Sequence, residues 1–449
     1  MNVYRTIALA GLIAALAPLS FAADWPGWRG PNRDGHVADG VAIPAKIPAT
    51  PAVIWRTPTA DGFASPVVAE GKVVLTDFLA DKETAPATPP AAPTAPAPGA
   101  KPAKKKAPPG REIVRALNAA DGKEVWRVDL DSQHIDGFGT GPRCTPLIHA
   151  GKVYAQSTKG ELKCLNLADG KMIWHKNYIT DFGQKYMGEK GDAAGAARHG
   201  NAGSPWIDGD HLIALVGAEG AGVVCFNKDT GDVIWKSQDD MVAYAPPITA
   251  QLAGAKQVVV FTAIGVIGLN PADGKLLWRV EVKTKFGRHV TAPVAIGDTV
   301  IVSSHMVGII GIKVSKEGDG FKAEKIWANK EAAINFASPV AVGDYIYGVG
   351  TASKLICVDS AKGEVAWDQT GYLLNDPSHA YASMLVLGKN ILMLSDLGEL
   401  VLFAANPKEF KEISRVKICG PTWCNPPYVD GRLYVRDNKE LQCIDLLKQ

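Results

Sequence analysis

The sequence lacks a surplus of charge of either sign. It carries 48 Lys and Arg against 46 Asp and Glu over 449 residues, a formal net charge of +2. The basic excess that a phosphate backbone demands is missing, so nucleic acid is not an expected partner. Long apolar runs are scarce too. Ile7 to Ala17 follows the positive Arg5 and precedes Ser20-Phe21-Ala22, the layout of an export signal over residues 1–22. That run is short for a bilayer span and no second one occurs, so no segment is expected to cross a membrane after signal removal. No cysteine flanks the cleavage point, so the expected product is exported, periplasmic and not a lipoprotein. P-loop, dinucleotide-binding and CxxCH motifs are absent, and no nucleophile–base constellation can be read.

Glycine and proline, by contrast, are plentiful at 46 and 30 residues. They punctuate a repeat. ALNAADGKEVW at 116–126 returns as CLNLADGKMIW, CFNKDTGDVIW, GLNPADGKLLW and CVDSAKGEVAW. Each copy reads as strand, Asp/Gly turn and strand, closing on a tryptophan. A second hairpin precedes each, as in SPVVAEGKVVL and SPVAVGDYIYG. Two hairpins make a four-stranded antiparallel sheet. Trp126, Trp174, Trp235, Trp278, Trp327 and Trp367 recur at intervals of 40 to 61 residues, the period of a propeller blade. A seventh unit loses its tryptophan near Arg415. The eighth ends at CIDLLKQ after three strands, and Pro51–Trp55 (PAVIW) matches the missing outer one. The predicted fold is an all-β, eight-bladed propeller over 51–449, its last blade completed by the N-terminal strand and no sheet edge left open at the seam. The tryptophans, Trp55 included, are expected to fill the wedges between blades.

Of seven cysteines, Cys164, Cys225, Cys357 and Cys443 share one repeat position and read as small buried hydrophobes. CGPTWC permits a disulfide between Cys419 and Cys424. Two insertions stand out. The Pro/Ala/Lys tract within 80–110 cannot form a core and is expected to be disordered, with Lys101 and Lys104 to Lys106 facing solvent or an anionic envelope surface. The Gly/Ala-rich stretch 180–201 sits where it would form a lid. Residues 23–50, with WPGWRGPNRDG at 25–35, are expected to pack over one face, Arg29 stapled against Trp25 or Trp28.

These L-N/D-x-x-x-G-x-x-x-W repeats, with the WPGWRGPNRDG opening and DFG at 181–183, resemble the PQQ-like, quinoprotein-type propeller family, most nearly its BamB-like outer-membrane assembly members. The resemblance implies a non-enzymatic scaffold, monomeric, binding envelope proteins or cell-wall and outer-membrane components. An alternative it implies is a dehydrogenase holding pyrroloquinoline quinone (PQQ) with Ca²⁺ in the channel. Those members use adjacent cysteines and Glu/Asn/Asp calcium ligands, which cannot be placed on this sequence. A polysaccharide-binding propeller is the third reading.

In a propeller the residues just before each innermost strand converge on the channel. Here they are Phe63, Arg143, His199 and Asn201, Tyr244, Arg288 and His289, Asn335, Tyr381 with His379, and Trp423 with Asn425. Two arginines among amides and aromatics suit an anionic or sugar-like ligand or an acidic peptide. The competing reading is that they satisfy strand-end backbone groups. His199, His289 and His379 fall in alternate blades, so no metal site is expected.

Overall fold

In the computed structural model, residues 24–81, 109–136, 139–186, 188, 193–374 and 380–448 are described. The signal segment 1–22, the insertion core 82–108 and His379 lie outside the described residues. Strands dominate, and they assemble into eight four-stranded antiparallel sheets. We number these as blades. Blade 1 holds Val67–Ala69, Lys72–Ala80, Gly110–Asn118 and Glu124–Ser132, and blade 2 starts at Leu147–His149. Blades 3 to 7 start at Trp206–Asp208, Ile248–Leu252, Val294–Ile296, Val340–Val342 and Ala382–Leu387. Blade 8 combines Tyr428–Val429, Arg432–Arg436 and Glu440–Asp445 with Ala52–Pro58 from the other end of the chain. The seam register pairs Val53 with Ile444 and Trp55 with Cys443, as the repeat pattern predicts.

Why the repeat ends on tryptophan is visible in the register. Each indole stands opposite a small residue: Trp126 opposite Ala116, Trp174 opposite Cys164, Trp235 opposite Cys225, Trp367 opposite Cys357 and Trp55 opposite Cys443. The recurring cysteines are therefore the floor on which the indoles lie. From there Trp126 Nε1 donates to Leu167 O in blade 2 at 2.8 Å, and Trp174 Nε1 to Lys228 O in blade 3 at 3.0 Å. Trp55, Trp235, Trp327 and Trp367 reach the next blade in the same way. Five of the receiving turns, under Trp55, Trp126, Trp174, Trp235 and Trp327, carry a glycine against the ring, and only the turn that receives Trp367 does not. Gly170 has φ +73°, and a Cβ there would stand 2.8 Å from the Trp126 ring. Only a side chain without Cβ allows both the left-handed backbone and the indole's approach.

Trp278 departs from this pattern. Blade 5 replaces the short Asp/Gly turn with long strands Gly308–Glu317 and Gly320–Asn329. The glycine turn of that longer hairpin, at Gly318, has no ring against it, and Trp278 instead lies over Gly268 and donates to Gln257 Oε1 at 2.6 Å within its own blade. In blade 7 the tryptophan's register falls on Ser414, opposite Leu402, and not on Arg415; the neighbouring Arg415 lies over Tyr372, paired with Glu412 at 2.7 Å.

The N-terminal extension does more than cover a face. It enters the channel. Trp25 exchanges backbone hydrogen bonds with Val68 of blade 1, and Pro26 O accepts from Ile148 N of blade 2. Gly35 and Val37 bond Val386 of blade 7, after which Ala42 O accepts from Tyr428 of blade 8. Arg33 is 3 % exposed and donates to Ser204 O at 2.7 Å ahead of blade 3, while Arg29 donates to Pro339 O at 2.6 Å ahead of blade 6. Arg29 lies 5.4 Å from the Trp28 ring, and Arg33 lies between Trp28 and Trp206 at 5.7 and 5.3 Å. The staple thus has two arginines, and it works inside the ring. Burial pushes their guanidinium groups down to about 10 and about 9, which still leaves both charged at neutral pH.

Of the two insertions, the first leaves blade 1 between Ala80 and Gly110, where Asp81 N donates to Pro109 O at 2.8 Å. The described parts of the second are built into the wall. Tyr178–Phe182 forms a short helix capped by Asn177, and Tyr178 OH donates to Gln156 of blade 2. Cys419 and Cys424 are free thiols, as are the other five, so the structure does not contain the proposed disulfide. Burial pushes Cys419 up to about 12 and Cys424 to about 11.

Candidate functional site: the mouth of the channel

Seven of the eight innermost strands, all but that of blade 7, follow an X-Pro start that holds the backbone extended and aims the preceding residue at the axis. Of the twelve predicted mouth residues, eleven are described, and nine of these line one cavity of about 480 Å³: Phe63, Arg143, His199, Tyr244, Arg288, Asn335, Tyr381, Trp423 and Asn425. Trp28 lies at its base, so the extension closes the channel beneath it. A separate cavity of about 600 Å³ opens on the other side of the extension, lined by Asn32, Asp34, His36 and the inner strands of blades 4 and 5.

The mouth cavity has two unlike walls. Trp423 is the hub of the first. Tyr381 stacks on it at 5.4 Å and 16°, while Phe63 and Phe336 flank it at 5.5 and 5.6 Å. Asn425 Nδ2 donates to Tyr381 OH at 2.8 Å, which fixes the ring's edge. Burial, first, then the nearby Cys424 push the Tyr381 phenol well above its ordinary range, so it remains a neutral hydroxyl. The second wall is basic. Arg143 lies 4.9 Å over Phe63, and Arg288 lies 4.3 Å over Phe286 and donates to Ala193 O at 2.9 Å. His199 and His305 complete it. Burial and, after it, the Arg288 charge hold His305 below the usual imidazole value. No carboxylate is among the described lining residues.

Two predicted residues do not reach this cavity. Asn201 is 3 % exposed and spent on structure, its amide exchanging hydrogen bonds with Gln184 and its Nδ2 also donating to Thr158 O. His289 is fully buried, stacked on Phe261 at 4.0 Å and 8°, and its backbone carbonyl accepts from Tyr244 and Ala245. Burial, then the nearby His305, push its imidazole down to about 4. The Asn201 side chain thus bonds strand-end backbone, while the His289 ring packs on Phe261. Sequence reasoning missed Phe286, Phe336, His305 and Trp28 as lining residues. Phe286 and Phe336 are one or two residues from named positions, so a wider window around each X-Pro start would have found them. His305 comes from the hairpin between the second and third strands of blade 5, which that window does not cover.

Residues 110–369, more than half of the chain, match the family described as outer membrane protein assembly factor BamB. The chain belongs to the BamB family. The BamB of Yersinia pestis is 24% identical over 281 residues, covering 59% of this chain and 65% of that protein. That of Burkholderia pseudomallei is 23% identical over 331 residues, covering 72% of this chain and 76% of that protein. Among solved structures, BamB from Moraxella catarrhalis aligns at a TM-score of 0.50 with 15% identity, over 74% of this chain and 88% of that one. Quinohemoprotein alcohol dehydrogenase from Comamonas testosteroni aligns at 0.60 with 13% identity, over 95% and 81%. At these identities the two structures report shared fold alone. The BamB-family chain also spans just under two thirds of the Yersinia protein, so a relative's partners do not transfer by length.

Proposed function

We propose that this BamB-family chain is an exported, non-enzymatic scaffold of the cell envelope that holds a partner protein at the mouth cavity. The observation that carries the reading is the lining itself. Aromatic rings and two arginines together line about 480 Å³, with no carboxylate among the described lining residues. Such a surface supplies binding energy and orientation, without a carboxylate among the described residues to act as acid or base.

The dehydrogenase alternative meets a chemical obstacle in the same lining. Ca²⁺ requires a shell of oxygen ligands, usually including carboxylates. The described lining offers only the neutral oxygens of Asn335, Asn425, Ser338 and Tyr381, beside two guanidinium groups. The residues present do not fit a calcium-held quinone, and no reaction step is derived through one.

The test is affinity capture from envelope extracts with the wild-type protein and with Trp423→Ala. We expect a defined partner that is retained by the wild type and lost from the variant. Equal recovery of that partner by both proteins would move the docking site elsewhere. Dye-linked alcohol oxidation on adding PQQ and Ca²⁺ would replace the scaffold reading altogether.

A further inference from the structure

We infer that the second cavity, across the extension from the mouth, takes an extended segment of a partner polypeptide as an added strand along the inner edge of blade 4. This goes beyond the proposed function, which concerns the mouth alone.

Each innermost strand turns one edge toward the axis, and its hairpin fixes which groups point there. In all eight blades this strand ends at a two-residue loop, so the residues flanking the loop form a hydrogen-bonded pair. The residue before that pair therefore aims its own N–H and C=O away from the sheet, into the channel. The extension shows what such an edge accepts. Val68 of blade 1 exchanges both bonds with Trp25, at 2.7 and 2.9 Å. Val386 of blade 7 bonds Gly35 O and Val37 N, at 2.8 and 3.0 Å, and Ile148 N of blade 2 donates to Pro26 O at 2.8 Å. In blade 6, Ala341 O lies 2.8 Å from His36 Nε2. Backbone of this same chain thus already pairs with three of the axial edges.

Blades 4 and 5 present the same groups, and the extension does not reach them. Gln251 precedes the pair Leu252–Ala255, Ala295 precedes Ile296–Thr299, and Thr249 lies two residues before Gln251 on the same edge. Among the described residues, none hydrogen-bonds the axial N–H or C=O of these three. All three line the cavity of about 600 Å³, whereas Ile207 and Tyr428, at the same position in blades 3 and 8, do not. Burial follows the same division. The inner strands of blades 1 and 7 are buried throughout, but Val294–Ile296 is half-buried along its length and Gln251 is exposed. Blade 4 offers the longer edge, five residues against three in blade 5. Its axial groups at Thr249 and Gln251 stand two residues apart, roughly 7 Å along the strand. Another extended backbone matches that alternation of donor and acceptor at both points, which is the basis of strand addition. The surrounding side chains of Ala250, Ala295 and Ala341 are small, and Gly297 has none, so a backbone can approach to bonding distance.

The experiment uses the whole mature protein, deuterated and ¹⁵N-labelled, and the uncharged peptide acetyl-Gly-Ser-Thr-Val-Thr-Ser-Gly-amide. In the free protein, amide exchange followed by NMR should find Thr249 and Gln251 at least ~10-fold less protected than Val68, Ile148 and Val386, whose N–H groups donate to the extension. Adding the peptide should shift and protect the Thr249 and Gln251 signals saturably. Its fully N-methylated counterpart should bind at least ~10-fold more weakly, since it has no donors for the edge. Gln251→Ala keeps the backbone donor and should bind within ~2-fold of the wild type, while Gln251→Pro removes it and should lose at least ~10-fold. Near-ultraviolet circular dichroism reports whether each variant is folded, and the exchange and N-methyl measurements decide the matter without the proline variant. A Gln251 amide as protected as that of Val386 in the free protein would mean that the edge is already paired, and overturns the inference. The absence of saturable shifts at Thr249 and Gln251 overturns it too, as does equal binding by the N-methylated peptide or by a folded Gln251→Pro.

Discussion

Arg436 closes the ring, and replacing it measures what closure is worth. It comes from the second strand of blade 8, is 1 % exposed, and donates only to blade 1 and the segment leading into it. Nη1 reaches Ala64 O at 3.1 Å and Thr76 O at 2.8 Å, while Nη2 reaches Ala60 O at 3.0 Å and Asp77 Oδ1 at 2.7 Å. Arg436→Met keeps most of the stem volume and removes all four bonds. Asp77 keeps Arg115 at 2.9 Å, so its charge is not orphaned, but three buried carbonyls lose a charged donor. The expected loss is about 3–5 kcal/mol, the range for breaking a buried ionic network. Scaled by the unfolding entropy of a domain this large, that is roughly 3–6 °C in Tm. The control lies on the same seam. Arg56 pairs with Glu440 at 3.2 Å, with side chains 55 % and 37 % exposed, and Arg56→Met should cost less than about 1 kcal/mol. Urea titration and thermal melts of both variants decide the matter. If Arg436→Met unfolds within about 1 kcal/mol of Arg56→Met, the buried arginine does not hold the ring shut and the reasoning fails.

Glu112 offers a pH test. It is fully buried, its Oε2 accepts from Thr158 N at 2.9 Å, and burial raises its carboxyl to about 7. Because the folded value lies above the unfolded one, the native state holds the proton more tightly. Stability is therefore highest below about pH 4 as far as this group is concerned, and falls as pH rises to about 7. Glu112→Gln should match the wild type near pH 4.5 and exceed it by up to a few kcal/mol at pH 8. A difference that does not change with pH would refute the assignment. Gly170→Val forces a branched side chain into a left-handed turn against the Trp126 ring. It should destabilise the protein by about 2–5 kcal/mol and raise the Trp emission wavelength, and a variant as stable as the wild type would mean that the glycine contact is not needed.

Much of the architecture is legible in the sequence because its causes are local. Alternating apolar residues set the strands, the Asp/Gly turns set the hairpins, and the Trp period counts the blades. The outer strand missing from CIDLLKQ then had one match, PAVIW, and the seam pairs Trp55 with Cys443. The mouth residues were legible to the extent that the start of an innermost strand, in seven blades an X-Pro, fixes backbone direction, and nine of them line one cavity. It does not fix which of two neighbours turns inward. At Arg288-His289 the arginine faces the cavity and the histidine stacks on Phe261.

The amino-acid sequence by itself determined that this chain builds eight like sheets and closes them on each other, since each sheet's faces can be buried only by the next. Tertiary structure decided the path of residues 24–49 through the channel, the turning back of Trp278, and the bonds that Arg436 makes across the seam. The path of the extension and the seam bonds depend on contacts between residues hundreds of positions apart, such as Arg29 with Pro339 and Arg436 with Ala60. No turn chemistry or periodicity encodes such pairings, because the partner enters reach only after the ring has formed.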